Sequence, residues 1–454
     1  MKSLVEHAGD VASAFPPYPV AVQAGALVFL TGIRGAGKGF ADIPDIARAR
    51  AQGFTAADLV EGEVAADAWR IHERMETVLR AIGSSNDLLL RQHMWQRNKS
   101  YFPAYEQIRK IWQKAPAPSS GLGVSSIVGN RDGWLGLDAI AARPSAQPDF
   151  SAITVTAPPD SARLPSAAHY SQSLSWGPLM FLAGHIPIDT RLPGKPLVTS
   201  FDALDERDRF LQTGRSHTDA RQGPIAVQAT FVYNEIRRHL EDHAHALHDV
   251  VHVTVFLQRQ SDYAVFHKVH RHFFGDGGPS LTIATFDEVG HKACLVEIET
   301  TVLRRDTWTR QAVPWTAAPP VAAPAATIVG NLVFFSGMIG LTDAGRLARS
   351  VHDVPPEGAR LVGLLESAER RPGIAAQCWL AWQRLADAMT AASVSADNLL
   401  KITLYVSDPA DLIIHEVVRQ QFVSSHLPAF ECVCVQGPGG LPGGELQIEA
   451  IGLK

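Results

Sequence analysis

The feature that most limits how this chain can fold is a pattern that occurs three times along it. Each copy has a short apolar strand that ends in a small residue and a glycine, and the three glycines, Gly32, Gly184 and Gly337, lie about 150 residues apart. A helical stretch, a β-branched or apolar run, a second short helical stretch and an alternating strand follow in each copy. This order predicts three similar α+β domains, because a period this long is a domain rather than one unit of a solenoid.

The segments between the copies predict the domain boundaries. Residues 144–166 and 313–326 are rich in Pro, Ala and Ser and have few periodic apolar positions, which is typical of linkers. We therefore expect domains over residues 1–143, 166–312 and 323–454.

Composition excludes several classes of protein. Of the 454 residues 46% are hydrophobic, which is ample for a core, and only 19% are charged, which fits extensive interfaces between domains. A net charge of −5 gives no reason to expect a nucleic acid or an anionic membrane as a partner. Four cysteines do not form a disulfide framework, and neither a signal peptide nor a membrane span is visible in the sequence, so we expect a cytoplasmic protein.

Three motifs of copy 2 resemble those of the RidA (YjgF) family of reactive-intermediate deaminases. They are the strand 181–184, the run 249–257 and the closing Val-Glu-Ile-Glu at 296–299; copy 3 carries the corresponding Ser336 and Gly337, and copy 1 diverges most. The resemblance covers most of the chain, once per copy. It implies chorismate-mutase-like α+β domains, and because family members are usually homotrimers with clefts between subunits, it implies an intramolecular pseudo-trimer.

The resemblance also implies a site in the clefts. The family uses a Tyr ahead of the first strand, the backbone of the small residue and its glycine, a polar residue on the second helix, an Arg in a Pro-Ala-Arg-Ser turn and a Glu in the last strand. The substrate-binding candidates in this chain are Tyr18, Tyr170, Thr31, Gly32, Arg34, Gly184, His267, Ser336, Gly337, Cys432 and Gln447.

The Glu is the candidate general acid, and one copy keeps it. It maps to Glu297 in copy 2, whereas Gly136 and Gln447 stand at this position in copies 1 and 3, where Glu445 could substitute for Gln447. A carboxyl group between apolar strands has its pKa raised by desolvation, as a general acid at neutral pH needs. We therefore expect one working cleft, with His185 as a further acid–base candidate.

The Arg is absent from all three copies. The matching turns carry Leu281, Phe430 and, less clearly, Ser120 in its place. A substrate without a carboxylate, or one held by another arginine, would fit this departure, and Arg34, just after the first glycine, is a candidate because guanidinium binds carboxylate in a bidentate way.

Two further positions are open to two readings each. The polar residue of the second helix maps to Glu106, His267 and Glu416, which suits either a cleft or a solvated helix face. Cys432 follows the third turn, and we expect a buried, inert thiol there rather than a reactive one.

Together these features predict an enzyme that acts on a small conjugated metabolite by hydrolytic or lytic acid–base chemistry, similar to imine or enamine deamination. The alternatives are a chorismatase-like cleavage of an enolpyruvyl ether and a non-catalytic small-molecule-binding or interaction protein. No metal or organic cofactor is required by these residues. We expect a monomer, or a dimer of pseudo-trimers, whose partner is a small-molecule substrate.

Overall fold

The chain forms three mixed sheets of seven strands each, with helices packed against them. The α+β class predicted from the sequence is thereby confirmed. No helix in the described part of the chain is both long and apolar enough to cross a membrane. The structure is a computed structural model and describes residues 2–35, 40–45, 47–48, 59–144, 153–156, 169–290, 293–304, 308–317, 321–367 and 371–454.

The first unit has strand order β1-β2-β3-β7-β5-β6, with β4 beside β7. Strands β5 and β6 are parallel, and helix α2 supplies the crossover that a parallel pair needs. Its elements are β1 (Lys2–Val5), β2 (Ala21–Ala24), β3 (Leu27–Leu30), β4 (Ile33–Arg34), α1 (Leu59–Ala81), β5 (Leu89–Gln96), α2 (Phe102–Trp112), β6 (Ser119–Gly123) and β7 (Leu135–Ala142).

The second unit repeats this arrangement, with a parallel pair β11-β12 joined by helix α4. Its elements are β8 (Ile153–Thr156), β9 (Ser173–Trp176), β10 (Leu179–Leu182), α3 (Ser216–Asp242), β11 (Val250–Leu257), α4 (Tyr263–Phe274), β12 (Ser280–Thr285) and β13 (Val296–Leu303).

The third unit has order β14-β15-β16-β21-β18-β19, and its strand β20 crosses over to extend the second sheet beside β12. Its elements are β14 (Arg310–Val313), β15 (Ala326–Val329), β16 (Leu332–Phe335), β17 (Met338–Ile339), α5 (Pro356–Glu366), α6 (Ile374–Ala392), β18 (Leu399–Val406), α7 (Leu412–Arg419), β19 (Ala429–Cys434), β20 (Gly437–Pro438) and β21 (Leu446–Leu453).

Both faces of each sheet are covered, which explains why the central strands are apolar almost throughout. One face packs against the helices of its own unit, and the opposite faces meet in apolar clusters that draw residues from all three units, such as Phe29, Phe181 and Phe334. A strand buried on both faces loses the apolar–polar alternation of a half-exposed strand.

Buried ion pairs link the units near this centre. Arg91 of the first unit lies 3.1 Å from Glu299 of the second, His252 of the second lies 3.2 Å from Glu449 of the third, and Lys401 of the third pairs with Asp138 of the first. Each unit thus contributes one basic side chain to a carboxylate of the next unit.

The backbone contact at each junction is also repeated. The N–H of Gly32 donates to the Phe430 carbonyl at 2.8 Å, and that of Gly337 donates to the Leu281 carbonyl at 3.0 Å. At the junction of the first and second units, Gly184 makes the corresponding bond to Ser119 at 3.3 Å.

A side-chain bond reinforces two of these junctions. The hydroxyl of Thr31 accepts the Phe430 N–H at 3.0 Å, and that of Ser336 accepts the Leu281 N–H at 2.9 Å. Ala183 stands at this position in the second unit and has no hydroxyl, so the junction of the first and second units lacks this bond.

Several elements differ from the predictions. The predicted linker 144–166 contains strand β8, although most of it lies outside the described residues, and the predicted linker 313–326 meets strands β14 and β15 only at its two end residues. The spacing of apolar residues in copy 2 predicts a helix from about Pro224 to Leu247, whereas helix α3 begins at Ser216, ends at Asp242 and contains Pro224 in its interior.

Candidate active site

A cavity of about 1200 Å³ lies between the first and second units, and we call it the open cleft. Five of the predicted positions line it: Tyr170, Gly184, His185 and Glu297 from the second unit, and Glu106 from the first. The facing wall comes from helix α2, strand β6 and the segment that precedes α2 in the first unit. The volume is large enough to hold a small molecule.

Glu297 projects from β13 to the floor of the open cleft. Its side chain is 4% exposed, and its Oε2 accepts the Gly290 N–H at 3.1 Å. Burial raises the pKa of this carboxyl to about 6, although the nearby Lys99 cation opposes the rise. A carboxyl with this pKa carries its proton at mildly acidic pH and can deliver it near neutrality.

Gly184 must be a glycine for this arrangement to exist. A β-carbon at this position would lie 2.0 Å from Oε1 of Glu297 and 2.7 Å from Oγ of Ser120. The missing side chain therefore provides the space in which the carboxyl and the Ser120 hydroxyl lie side by side.

His185 and Tyr170 complete the second unit's side of the open cleft. The Nδ1 of His185 donates to the Ala183 carbonyl at 2.8 Å, and desolvation lowers the pKa of His185, so the ring is neutral near pH 7. Burial, together with the charges of Glu297 and Glu106, raises the pKa of Tyr170 to about 12. Both side chains thus face the cleft as neutral polar groups.

Two cations line the first unit's side, and the sequence analysis missed both. Lys99 donates to the Gly121 carbonyl, and its backbone N–H is bound at 3.0 Å by Glu288 of the second unit. Arg109 is paired with Glu106 at 2.6 Å and donates to the Ser119 hydroxyl at 3.0 Å.

The strand register shows that Ser119, not Ser120, stands where the family has its Arg. Ser119 pairs with Gln92 as Leu281 pairs with Val253 in the second unit, so the predicted alignment of the first turn was wrong by one residue. Arg109 reaches this position from helix α2. The Glu-x-x-Arg spacing, which recurs in copy 3 as Glu416 and Arg419, was the signal that could have identified it.

The cleft between the third and first units, which we call the closed cleft, is filled by side chains. Phe430 stacks on Tyr18 with ring centroids 4.1 Å apart, and the Tyr18 hydroxyl donates to Glu416. The carboxyl group of Glu431 packs directly against Gly32, as the carboxyl group of Glu297 packs against Gly184 in the open cleft.

Arg34 is one of the side chains that fill the closed cleft, and it does not face a cavity. Its guanidinium is 3% exposed, pairs with the fully buried Glu431 and donates to the Val128 carbonyl at 2.7 Å. It lies over Gly136, where a β-carbon would be 2.8 Å from Nη1. We therefore do not retain Arg34 as a substrate anchor. Cys432 is buried, and desolvation raises the pKa of its thiol, as expected for an inert cysteine.

The junction of the second and third units is covered by the loop around β20. Gln447 covers Gly337 and accepts the Gly439 N–H at 3.2 Å, while Gly440 packs against Tyr263. The hydroxyl of Ser336 is already engaged in its hydrogen bond with the Leu281 N–H of the facing strand. A Gln at this position cannot supply a proton as an acid.

Two predicted residues lie apart from the open cleft. His267 is on α4, in ring contact with Tyr263 at 4.7 Å, and is not among the residues that line the cavity. Glu445 precedes β21 rather than lying within it, and it pairs with Arg371 and Ser407 of its own unit. Among the described residues, no group of three or more His, Cys, Asp or Glu side chains is placed to hold a metal ion.

The fold and this cavity define an α+β protein with a small-molecule-sized cleft between two of its units. Residues 160–304 match the family described as Endoribonuclease L-PSP, to which the RidA (YjgF) proteins belong. The resemblance predicted from the motifs of copy 2 is thereby confirmed.

Individual relatives cover one unit or two. A RutC family protein of Pyrococcus horikoshii is 29% identical over 130 residues, which are 29% of this chain and 82% of that protein. The crystal structure of yeast Mmf1 covers 32% of this chain and 99% of its own, with 22% identity and a TM-score of 0.26. A chorismatase crystal structure covers 62% of this chain and 76% of its own, with 15% identity and a TM-score of 0.39.

Proposed function

We propose that the chain is an enzyme that hydrolyses or cleaves a small conjugated metabolite in the open cleft, with Glu297 as the general acid. One observation carries the proposal: a buried carboxyl whose pKa is raised to about 6 faces a cavity of about 1200 Å³. The equivalent positions of the other units hold Gly136 and Gln447, neither of which can transfer a proton as an acid.

For an imine the reaction balances without a cofactor. Glu297 gives its proton to the imine nitrogen, water adds to the carbon of the resulting iminium and returns a proton to Glu297, and the neutral adduct loses ammonia to leave a carbonyl compound. His185 is suited to bind the water, because its Nδ1–H is committed to the Ala183 carbonyl and its Nε2 is therefore an acceptor. Lys99 and Arg109 are suited to hold a negatively charged end of the substrate.

We further infer that the three units form an intramolecular pseudo-trimer that acts as a monomer. The same glycine-to-strand hydrogen bond at each of the three junctions supports this arrangement. The proposed working form is cytoplasmic and needs no nucleic acid, membrane or cofactor.

The test uses 2-imino acids generated in situ from amino acids by an amino-acid oxidase, with semicarbazide trapping the imine that remains. We expect the protein to accelerate imine loss and ammonia release, and Glu297→Gln to abolish the acceleration. Gln447→Ala, at the equivalent position of the third unit, is the matched control and should keep full activity. Equal turnover by Glu297→Gln and wild type would overturn the assignment of the general acid.

A second candidate, chorismatase-like cleavage of an enolpyruvyl ether, is favoured by the two cations in the open cleft. A substrate with two carboxylates needs two such anchors, and Lys99 and Arg109 both line the cavity. Release of pyruvate from chorismate would support this reaction over imine hydrolysis. A thermal shift with either compound but no turnover would instead favour the non-catalytic binding protein.

A further inference from the structure

Three side chains at equivalent positions, one from each unit, meet at the surface of the molecule. Strands β6, β12 and β19 end at equivalent positions by their register with the neighbouring parallel strand, and the second residue after each strand is Ser125, Asp287 and Gln436 respectively. The hydroxyl of Ser125 donates to Oδ2 of Asp287 at 2.7 Å, and Nε2 of Gln436 donates to Oδ1 of Asp287 at 2.6 Å. We call this cluster the three-unit contact.

The three-unit contact depends on a difference in chemistry between the three positions. A carboxylate only accepts hydrogen bonds, whereas a serine hydroxyl and a glutamine amide group can donate. Asp287 therefore takes one hydrogen bond from each of the other two units, and hydrogen bonds to a charged acceptor are stronger than those between neutral groups. Three carboxylates at these positions would instead repel one another. The contact thus needs all three units and is centred on Asp287.

Asp287 is also the first residue of a segment, 287–290, that lines the open cleft. The first unit holds this segment through Gly123, whose carbonyl accepts the Asp287 N–H at 3.2 Å and whose N–H donates to the carbonyl of the following residue at 2.8 Å. At the other end of the segment, the Gly290 N–H donates to Oε2 of Glu297 at 3.1 Å. The three-unit contact and a hydrogen bond to the proposed general acid thus lie at the two ends of one short segment.

The bond from Gly290 matters because it favours one state of Glu297. Burial, the largest effect, raises the pKa of Glu297, and the Gly290 N–H opposes it because a hydrogen bond donated to a carboxylate stabilises the ionised form. The other groups that act on this carboxyl are the Lys99 cation, the Glu299 carboxylate, the Tyr170 phenol and the Ser120 hydroxyl. Lys99 is itself tied to the segment, since its backbone N–H donates to Glu288 at 3.0 Å. A displacement of the segment therefore weakens groups that favour the ionised carboxylate.

We propose that Asp287 is a positioning residue, which fixes the segment 287–290 against all three units and so holds the Gly290 N–H on Glu297. No described residue of the third unit lines the cavity, and the three-unit contact gives that unit an influence on the open cleft through Gln436. The inference rests on the proposed function only for the use of Glu297 as an acid.

The experiment titrates Glu297 directly in the full chain, without substrate. Glutamate labelled with ¹³C at Cδ is incorporated, and the Glu297 signal is the one that Glu297→Gln removes. Gln436→Ala removes the third unit's hydrogen bond without a change of charge. We expect it to raise the titration midpoint of Glu297 by about 0.5 to 1 pH unit, as the weakening of one hydrogen bond to a carboxylate would. Gln421→Ala, which truncates another exposed glutamine of the third unit, is the matched control and should leave the midpoint unchanged.

Further variants separate positioning from a general loss of structure. Ser125→Ala should also raise the midpoint, and Ser125→Thr, which keeps the hydroxyl, should not. In the background of Asp287→Ala, Gln436→Ala should have no further effect, because both changes act through the same carboxylate. The comparison is made within this background because Asp287→Ala by itself also removes a negative charge near the cleft, which lowers the midpoint of Glu297.

An unchanged or lowered midpoint in Gln436→Ala would overturn the proposal, and so would an equal rise with and without Asp287. Amide hydrogen exchange gives a second measurement: the Gly290 amide should exchange faster in Gln436→Ala than in wild type, and equal exchange would contradict the proposal. If the midpoint shifts as expected but Glu297→Gln keeps full turnover, the proposed reaction fails and the positioning role stands. The two failures are therefore distinguishable.

Discussion

The open cleft and the closed cleft are built on the same backbone contact but have opposite contents. In the open cleft a small Ser119 faces the space and Glu297 borders a cavity, whereas in the closed cleft Phe430 stacks on Tyr18 and a buried ion pair occupies the equivalent region. A few side chains at equivalent strand positions therefore decide whether a junction becomes a site or a part of the core.

The two carboxyl groups at these glycines illustrate the difference. Glu297 lies over Gly184 and near a single cation, Lys99, so burial dominates and raises its pKa. Glu431 lies over Gly32 but is held by a guanidinium with two contacts. The first carboxyl can exchange a proton, whereas the second is held in a buried contact with Arg34.

Removal of the carboxyl in the open cleft should have the largest effect. We expect Glu297→Gln to lower kcat/KM on the substrate by roughly 10²- to 10⁴-fold, as loss of a general acid does. Steady-state kinetics with the imine or chorismate assay measure this. A tenfold or smaller loss would mean that the open cleft resembles the closed one more than we propose.

Breaking the ion pair of the closed cleft should cost stability rather than activity. Glu431→Gln leaves the buried Arg34 without its charge partner, and we expect a loss of about 3–5 kcal/mol in the free energy of unfolding. Urea denaturation followed by circular dichroism measures it. Glu73→Gln, which breaks an ion pair on the surface of α1 with Arg70, is the control and should change stability by less than about 1 kcal/mol.

Filling the space at Gly184 should make the open cleft more like the closed one. Gly184→Ala pushes a methyl group against Glu297 and Ser120, and we expect a loss of about 1–3 kcal/mol in stability together with reduced turnover. Gly277→Ala is the control, since no atom lies within 4 Å of its β-carbon position. Crystal structures of both variants would show whether Glu297 moves.

The pH dependence of stability should reveal the raised pKa of Glu297. The folded protein keeps this proton up to about pH 6, whereas an unfolded glutamate releases it near 4.5, so the carboxyl stabilises the fold most below pH 4.5. This contribution, about 1–2 kcal/mol, is lost as the pH rises through 6. Urea denaturation from pH 4 to 7 should show the loss in wild type and not in Glu297→Gln; parallel curves would contradict it.

The order of elements could be predicted from the sequence because it depends on local pattern. The strand-Gly motif and the helical stretch that follows it in each copy needed only the spacing of apolar residues, and in copy 3 this spacing predicts the helix that is α6. Strand β14 was missed because its residues are largely exposed or intermediate and carry little apolar signal.

The contents of the clefts depend on contacts between distant parts of the chain. Glu297 and its glycine belong to one copy, so the motif places them together. Arg34 and Glu431 lie in different units, and no local pattern connects them. Lys99 was missed for the same reason, since its importance follows only from the facing Glu288 and Glu297.

The three junctions differ in one hydrogen bond. Thr31 and Ser336 each accept a backbone N–H of the facing strand through the hydroxyl, and Ala183 has no hydroxyl with which to do so. Beside Gly32 and Gly337 a side-chain hydroxyl bond accompanies the backbone bond, whereas beside Gly184 this hydroxyl bond is missing and the backbone bond is longer. Local opening favours the least stabilised contacts. We therefore expect local opening to begin beside Gly184, at the edge of the open cleft, rather than beside Gly32 or Gly337.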